Sequence, residues 1–160
     1  MTRPTKPTNP ASPFSVAEAN DSSGFLLWQV TALWQRRVAE ALRPHELTQV
    51  QYALLASLLW LSRQGEEVTQ SRLAGHAKLD VMMTSQVLRA LEGRGLLERR
   101  PHPTDTRAKA LRLTPTGRAL TTRAVPAVET ADTQFFAALG PARAGLNRNL
   151  LALIEAHAEA

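Results

Sequence analysis

Residues 68–120 read VTQSRLAGHAKLDVMMTSQVLRALEGRGLLERRPHPTDTRAKALRLTPTGRAL. Apolar spacing predicts two short helices here, over about residues 70–77 and 81–92, and Gly93 and Gly95 are typical of a helix C-terminus. Because only a few residues separate them, the two helices predict a helix-turn-helix. A strand-like run at 96–100, a PHPTDT turn and a second run at 109–114 follow. These predict a β-hairpin with a long polar tip.

The second of these helices has an apolar side and a polar side. Its apolar side is formed by four residues at helical spacing: Thr84, Val87, Leu88 and Leu91. The opposite side carries Met82, Ser85, Gln86 and Arg89 and no acidic residue. A solvated helix normally pairs Glu with Lys four residues apart, whereas these residue types read base edges and phosphates. We therefore predict that this face contacts DNA, with Met82 available to a thymine methyl group.

The predicted hairpin adds a second basic surface directly after that helix. Arg99, Arg100, Arg107 and Lys109 surround a tip that contains Asp105. An arginine at a narrow tip can enter a minor groove, and we expect Asp105 to hold the Arg107 guanidinium in place by a charge-assisted bond. An ordinary exposed loop is the alternative for the turn alone, but beside the helix pair it indicates a wing.

Charge is distributed unevenly along the 160 residues. Residues 70–123 carry eleven Lys/Arg and four Asp/Glu, a balance of +7, while the remaining residues have a balance of −2. This distribution is typical of a polyanion-binding module, with a solvated basic face as the alternative. The absence of cysteine excludes disulfides, thiolate metal sites, cysteine nucleophiles and thiol-based redox sensors. Since no apolar run approaches about 20 residues, no membrane span is expected.

The flanking segments indicate an arm and further helices. Residues 1–22 are rich in proline and polar residues and predict an extended or disordered arm. A broadly apolar helix is expected over 25–42, and a capping box of Thr48 and Gln51 predicts another that runs to Gly65. We expect both to be mostly buried. A helix from Pro115 to about residue 139 and a last helix over about 143–157 complete the chain.

The hairpin and its flanks resemble the multiple-antibiotic-resistance regulator (MarR) family. The resemblance extends over about residues 25–157, including the second-helix opening Leu47-Thr-Gln-Val-Gln51-Tyr52. The matching wing positions are Leu91, Glu92, Gly95, Leu96, Glu98, Arg99, Asp105, Arg107, Leu113, Thr114 and Gly117. It implies a winged helix-turn-helix dimer whose first and last two helices interlock, with a pocket between the dimerisation and DNA-binding parts. Met82 and Met83 stand where many members carry small hydroxyl residues, and Gln86 where arginine is common, so no relative's operator transfers to this chain.

The expected fold is mainly α with a small β-wing. We predict a single domain over 23–160, with a winged helix-turn-helix over about 47–114 and dimerisation helices over about 23–42 and 115–158. Two sets of predicted DNA contacts are the outward face of the second helix and the wing residues Arg99, Asp105, Arg107 and Lys109. A third is the start of the first helix at Gln70 and Ser71, where backbone N–H groups can bind a phosphate.

Other candidate sites are weaker. Trp34, His45 and Tyr52 are predicted to line a pocket for a small aromatic or phenolic effector, with aromatic core packing as the alternative. The four histidines are scattered and predict no metal site, and no nucleophile elbow, phosphate loop or carboxylate pair indicates an enzyme. No cofactor is expected.

The sequence thus predicts a DNA-binding transcriptional regulator. We expect a homodimeric, ligand-responsive repressor that binds a pseudo-palindromic operator in the cytoplasm, in association with the nucleoid. The alternative is a winged-helix protein-interaction module that binds no specific DNA. The basic segment and the acid-free helix face argue against that alternative.

Overall fold

The structure, a computed structural model, describes residues 13–65, 67–105 and 107–158. It divides into two compact units, Met1–Arg36 and Arg37–Ala160. The predicted arm falls in the first unit, and its residues 1–12 lie outside the described part. Residues 13–22 contain a short 3₁₀ turn, Ala19–Asp21.

Helix α1, Ser23–Leu42, begins after Ser22, whose hydroxyl accepts a hydrogen bond from the Phe25 N–H at 3.3 Å. Only Val38 and Leu42, near its end, are buried. Its earlier apolar side chains are exposed in this chain: Phe25, Leu26, Leu27, Trp28, Val30 and Leu33. The expectation that this helix is mostly buried is therefore wrong for the single chain. A helix with so much exposed apolar surface is typical of an interface.

Helix α2, Gln49–Ser62, supplies the centre of the core in the second unit. It begins with the predicted capping box, in which the Gln51 N–H donates to Thr48 Oγ1 at 3.2 Å and the Thr48 N–H donates to Gln51 Oε1 at 3.1 Å. The helix ends three residues before the predicted Gly65. Its buried face consists of leucines at helical spacing: Leu54, Leu55, Leu58 and Leu61.

The predicted helix-turn-helix is present as α3, Gln70–Ala77, and α4, Val81–Gly93. Lys78 allows the tight turn by adopting a left-handed conformation, with φ 52°. The Asp80 carboxylate then caps α4 by accepting a hydrogen bond from the Met83 N–H at 2.9 Å. Leu73 of α3 and Leu88 of α4 are fully buried, so the pair shares the core of α2.

The wing is a three-stranded antiparallel sheet in the order β1-β3-β2. Strands β2, Leu97–Pro101, and β3, Lys109–Leu113, form the predicted hairpin, with Leu97 opposite Leu113. Strand β1, Val68–Thr69, was not predicted and pairs Val68 with Leu111. The predicted mainly helical fold with a small β-wing is confirmed.

Helix α5, Pro115–Phe136, begins after Thr114, whose side chain accepts a hydrogen bond from the Gly117 N–H at 3.0 Å. It ends three residues earlier than predicted, where a 3₁₀ segment, Ala137–Ala142, contains Gly140 with φ 49° and ψ −128°. Helix α6, Arg143–Ala156, follows, and none of its residues is buried within the described chain. The predicted domain boundaries remain predictions.

Candidate nucleic-acid interface

The outward face of α4 is exposed as predicted. Met82 is 71% exposed, Gln86 and Arg89 are exposed, and Ser85 is half-buried. The opposite face is held in the core by Thr84, Leu88 and Leu91, which fixes the rotation of the helix. Because Asp80 is the N-cap, the carboxylate lies at the start of the helix and leaves the outward face without an acid.

Two further apolar side chains extend this exposed face toward the start of the helix. Val81 is 54% exposed and Met83 is 44% exposed, and neither was predicted as a site residue. Met83 lies outside the stripe of Thr84, Leu88 and Leu91, so periodicity could have indicated its exposure. Val81 is in register with that stripe, and periodicity would have placed it in the core. The accessible part of α4 is therefore apolar at its start and polar from Ser85 onward.

A groove of about 390 Å³ runs from the starts of α3 and α4 to the wing. It brings together five residues that the sequence placed in the DNA contact: Gln70, Ser71, Arg99, Arg107 and Lys109. The other lining residues are Thr69, Val81, Ala108 and Leu111. Since α3 begins at Gln70, the backbone N–H groups of Gln70 and Ser71 lie in its first turn, beside the groove that the basic side chains line. The Arg72 N–H in the same turn is capped by Thr69 Oγ1 at 3.3 Å. Such an arrangement suits a phosphate.

The tip of the wing is shaped by side chains that hydrogen-bond to its own backbone. His102 Nδ1 accepts hydrogen bonds from the N–H groups of Thr104 at 3.3 Å and Asp105 at 3.1 Å. Asp105 Oδ1 in turn accepts from the Arg107 backbone N–H at 2.9 Å. The role of His102 was not predicted.

The Asp105 contact corrects the predicted bond to the Arg107 guanidinium. The Asp105 carboxylate accepts a hydrogen bond from the backbone N–H two residues later, which is the geometry of an Asx turn. It therefore binds the backbone, and the Arg107 side chain stays exposed. Asp105 therefore shapes the loop that presents Arg107. It does not orient the guanidinium itself.

Ion pairs reduce the positive charge that the wing offers. Arg99 Nε lies 3.6 Å from Glu92 Oε2. Arg100 Nη2 lies 2.6 Å from Glu98 Oε1, and Arg112 Nη2 is paired with Glu67 Oε1 at 2.5 Å. Each of these three arginines thus has an acidic neighbour that offsets its charge. The exposed Arg107 and Lys109 therefore contribute a larger share of the wing's positive potential than the sequence suggests.

Arg99 differs from the two tip cations because it is half-buried. Within the described residues its Nε and Nη2 atoms are buried without a hydrogen-bond partner, although Glu92 is close enough for an ion pair. This pair joins the end of α4 to strand β2. Arg99 lines the groove and also ties α4 to the wing.

The three predicted effector residues belong to different units and elements. Trp34 is half-buried on α1 in the first unit, while His45, in a 3₁₀ turn, and Tyr52, on α2, are half-buried in the second. The predicted pocket remains a prediction.

Tyr52 offers a spectroscopic test of the packing between α2 and α5, because it is the only tyrosine. Burial raises the pKa of its phenol above the ordinary 10.0, and the carboxylates of Glu129 and Asp132 raise that pKa further. We expect the absorbance at about 295 nm to titrate at higher pH in the native protein than in urea. The stabilisation involved is present below pH 10 and is lost as pH rises through the native pKa.

A Glu129→Gln variant should move the native Tyr52 midpoint part of the way toward the unfolded one, because it removes one of the two carboxylates. Circular dichroism at each pH confirms that the native fold persists during the titration. A native midpoint at or below the midpoint in urea would contradict the placement of Tyr52 against α5.

Other site classes receive no support from the described residues. Across 13–65, 67–105 and 107–158, no three His, Asp or Glu side chains are grouped so that they could hold a metal ion. In the same ranges, no helix has the length and apolar character needed to cross a membrane.

Comparisons with known proteins identify the family of the chain. The sequence pattern described as the MarR family matches residues 47–109. The chain is 47% identical to the uncharacterized HTH-type transcriptional regulator YdcH of Bacillus subtilis (strain 168), over 74% of this chain and 81% of that protein. It is 34% identical to the HTH-type transcriptional repressor Rv2887 of Mycobacterium tuberculosis, over 72% of this chain and 81% of the relative.

A solved relative has the same fold. CouR from Rhodococcus jostii RHA1, bound to p-coumaroyl-CoA, superposes with a TM-score of 0.75 at 29% identity, covering 87% of this chain and 94% of that one. The repressor CouR bound to a 23-mer DNA duplex superposes with a TM-score of 0.74 at 27% identity, covering 90% and 99%. Because these relatives are transcriptional regulators, the expectation that the chain is not an enzyme is confirmed. The chain belongs to the MarR family of helix-turn-helix transcriptional regulators.

Proposed function

We propose that this regulator is a homodimeric, ligand-responsive repressor that binds a pseudo-palindromic operator. The observation that carries the proposal is the exposed, acid-free face of α4 beside a groove lined by Arg107 and Lys109. Rv2887 and CouR are described as repressors, and CouR has been solved on a DNA duplex, which supports the same role here.

The outward face of α4 enters the major groove in this proposal. Gln86 suits the paired donor and acceptor of adenine, and Arg89 suits guanine or a phosphate. Met82 provides an apolar contact for a thymine methyl group. Ser85 is half-buried, so its reach is limited to the backbone or to a bridging water.

The groove and the wing position the helix on the duplex. The N–H groups at Gln70 and Ser71 bind one backbone phosphate, and Lys109 neutralises phosphate charge beside it. Arg107, at the exposed tip, enters the adjacent minor groove, where a narrow width and negative potential favour a guanidinium.

Two copies of α4 are needed to read a palindrome. Half-sites one turn apart require the two recognition helices to be separated by about 34–36 Å. The exposed apolar side chains of α1 and α6 provide the surface on which two protomers join. The winged part then spans about 47–114, with dimerisation helices over about 23–42 and 115–158. A regulator of this kind acts on the chromosome, in the bacterial cytoplasm.

The effector is a small aromatic or phenolic compound in this proposal. CouR binds p-coumaroyl-CoA, whose acyl group is phenolic, which supports this ligand class. Trp34, His45 and Tyr52 are the proposed contacts. Bound ligand favours a conformer whose recognition helices no longer match the half-site spacing, and DNA is released.

Two substitutions separate base reading from backbone attraction. A duplex selected by the protein from a random pool serves as operator, with a scrambled duplex beside it. Gln86→Ala should weaken the selected duplex by about 1–3 kcal/mol and relax preference at one position. Arg107→Ala should weaken both duplexes and reduce the slope of log K against log salt by about 0.9. Binding isotherms at several salt concentrations measure both effects.

Arg123→Ala is the matched control, because it removes the same charge from an exposed position on α5 outside the groove. Its salt slope should equal that of the parent. An Arg107→Ala protein with the parental slope would contradict the wing assignment. Equal, weak binding of selected and scrambled duplexes by the parent would favour the protein-interaction module instead.

A further inference from the structure

Within the described residues, the sulfur-containing side chains all lie on α4. The sequence has no cysteine and three methionines, Met1, Met82 and Met83. The last two are neighbours in the first turn of α4, where they are 71% and 44% exposed. Methionine usually fills gaps in cores, and the core here uses neither of them. Their placement is therefore not explained by packing.

We propose that Met82 and Met83 form an oxidant-sensitive site, at which a peroxide converts the thioethers to sulfoxides and so causes release of DNA. The proposal rests on the proposed function, because it needs α4 to be the DNA-reading helix. It adds a second signal, independent of any ligand bound elsewhere in the protein.

Oxidation of each methionine requires only the peroxide as co-reactant. A lone pair on the methionine sulfur attacks one peroxide oxygen, a sulfur–oxygen bond forms and the oxygen–oxygen bond breaks. The leaving hydroxide takes up the proton of the transferred hydroxyl and departs as water. Sulfur loses two electrons and the peroxide gains them. Both side chains are exposed in the described chain, so neither reaction requires unfolding.

The sulfoxide changes the surface that meets DNA while the fold is kept. It replaces a flexible apolar side chain by a polar, chiral one, which cannot be buried against a thymine methyl group without leaving its oxygen unpaired. Since both side chains are exposed, the α4 core contacts at Thr84, Leu88 and Leu91 are unaffected. Two-fold symmetry introduces each change twice. We expect operator affinity to fall at least about tenfold.

Hydrogen peroxide on the full-length protein tests the proposal. Mass spectrometry should show a gain of about 32 Da in the peptide that carries both methionines. Affinity for the selected duplex should fall while circular dichroism stays unchanged. Methionine sulfoxide reductases A and B together should restore it. Prior binding of the duplex should slow the oxidation, because it covers both sulfurs.

A Met82→Leu/Met83→Leu protein provides the matched control, since it keeps Met1 and all three tryptophans. Peroxide should leave the affinity of this variant for the selected duplex unchanged, even if that affinity differs from the parent's. The proposal is overturned if both sulfoxides form in the parent with affinity unchanged, or if the double variant loses as much affinity as the parent. A reduced parent that binds no duplex would overturn the proposed function as well, and the two failures are thereby distinguished.

Discussion

Replacement of Gly117 by alanine is expected to lower the free energy of unfolding by about 3 kcal/mol or more. An added Cβ would lie 1.7 Å from the backbone oxygen of Leu96 and 2.7 Å from its carbonyl carbon. Both are backbone atoms, so neither can rotate away as a side chain could. Helix α5 would have to move away from the base of the wing.

That movement would break a compact set of hydrogen bonds. The Thr114 N–H donates to the Leu96 oxygen at 3.2 Å, and Thr114 Oγ1 donates to the Gly95 oxygen at 2.6 Å. The same Oγ1 caps α5 through the Gly117 N–H. Leu96, beside these bonds, is buried. The substitution therefore affects the cap, the strand base and the core together.

Urea unfolding at a fixed protomer concentration measures the change. Gly75→Ala in α3 is the matched control, because an added Cβ there meets nothing within 4 Å. Helix propensity predicts that this control gains up to about 1 kcal/mol. A Gly117→Ala protein as stable as the parent would contradict the close approach of α5 to Leu96.

Local sequence signals were sufficient for most of the helices. The capping residues Thr48 and Thr114 act within their own turns, and they bind the N–H groups that their spacing predicts. Helix α3 has the predicted bounds, and α4 differs by one residue at its end. These features depend on contacts three or four residues apart, which is the distance at which periodicity carries information.

Long-range contacts were not accessible in the same way. Strand β1 has two residues, too few for an alternating pattern, and exists because Val68 pairs with Leu111. The Glu67–Arg112 ion pair joins residues 45 positions apart. A charge count therefore treats the wing arginines as unpaired, whereas the fold places a glutamate beside Arg99, Arg100 and Arg112. At the tip, Asp105 was predicted to bind the Arg107 guanidinium but binds the Arg107 backbone N–H. The spacing of the two residues does not determine which of the two donors the carboxylate binds.

Dimerisation gives the other large expected effect. Helix α6 exposes Leu150, Leu151, Leu153 and Ile154, and α1 exposes a comparable set. We expect α6 of one protomer to pack against α1 of its partner. A charge in that contact would be buried without a counter-ion, which costs several kcal/mol at each occurrence. Two-fold symmetry places it there twice.

Leu150→Glu should therefore shift the protein from about twice the 17.5 kDa protomer mass toward the protomer itself in light scattering at micromolar concentration. Affinity for the selected duplex should fall at least about a hundredfold, because each recognition helix must then bind its half-site alone. Ala152→Glu introduces the same charge about 200° around the same helix, at another exposed position, and should leave mass and affinity unchanged. Circular dichroism of both variants separates loss of the dimer from loss of the fold. If Leu150→Glu remained a dimer with parental affinity, α6 would lie outside the interface, and the spacing of the two recognition helices would have to be set by α1 alone.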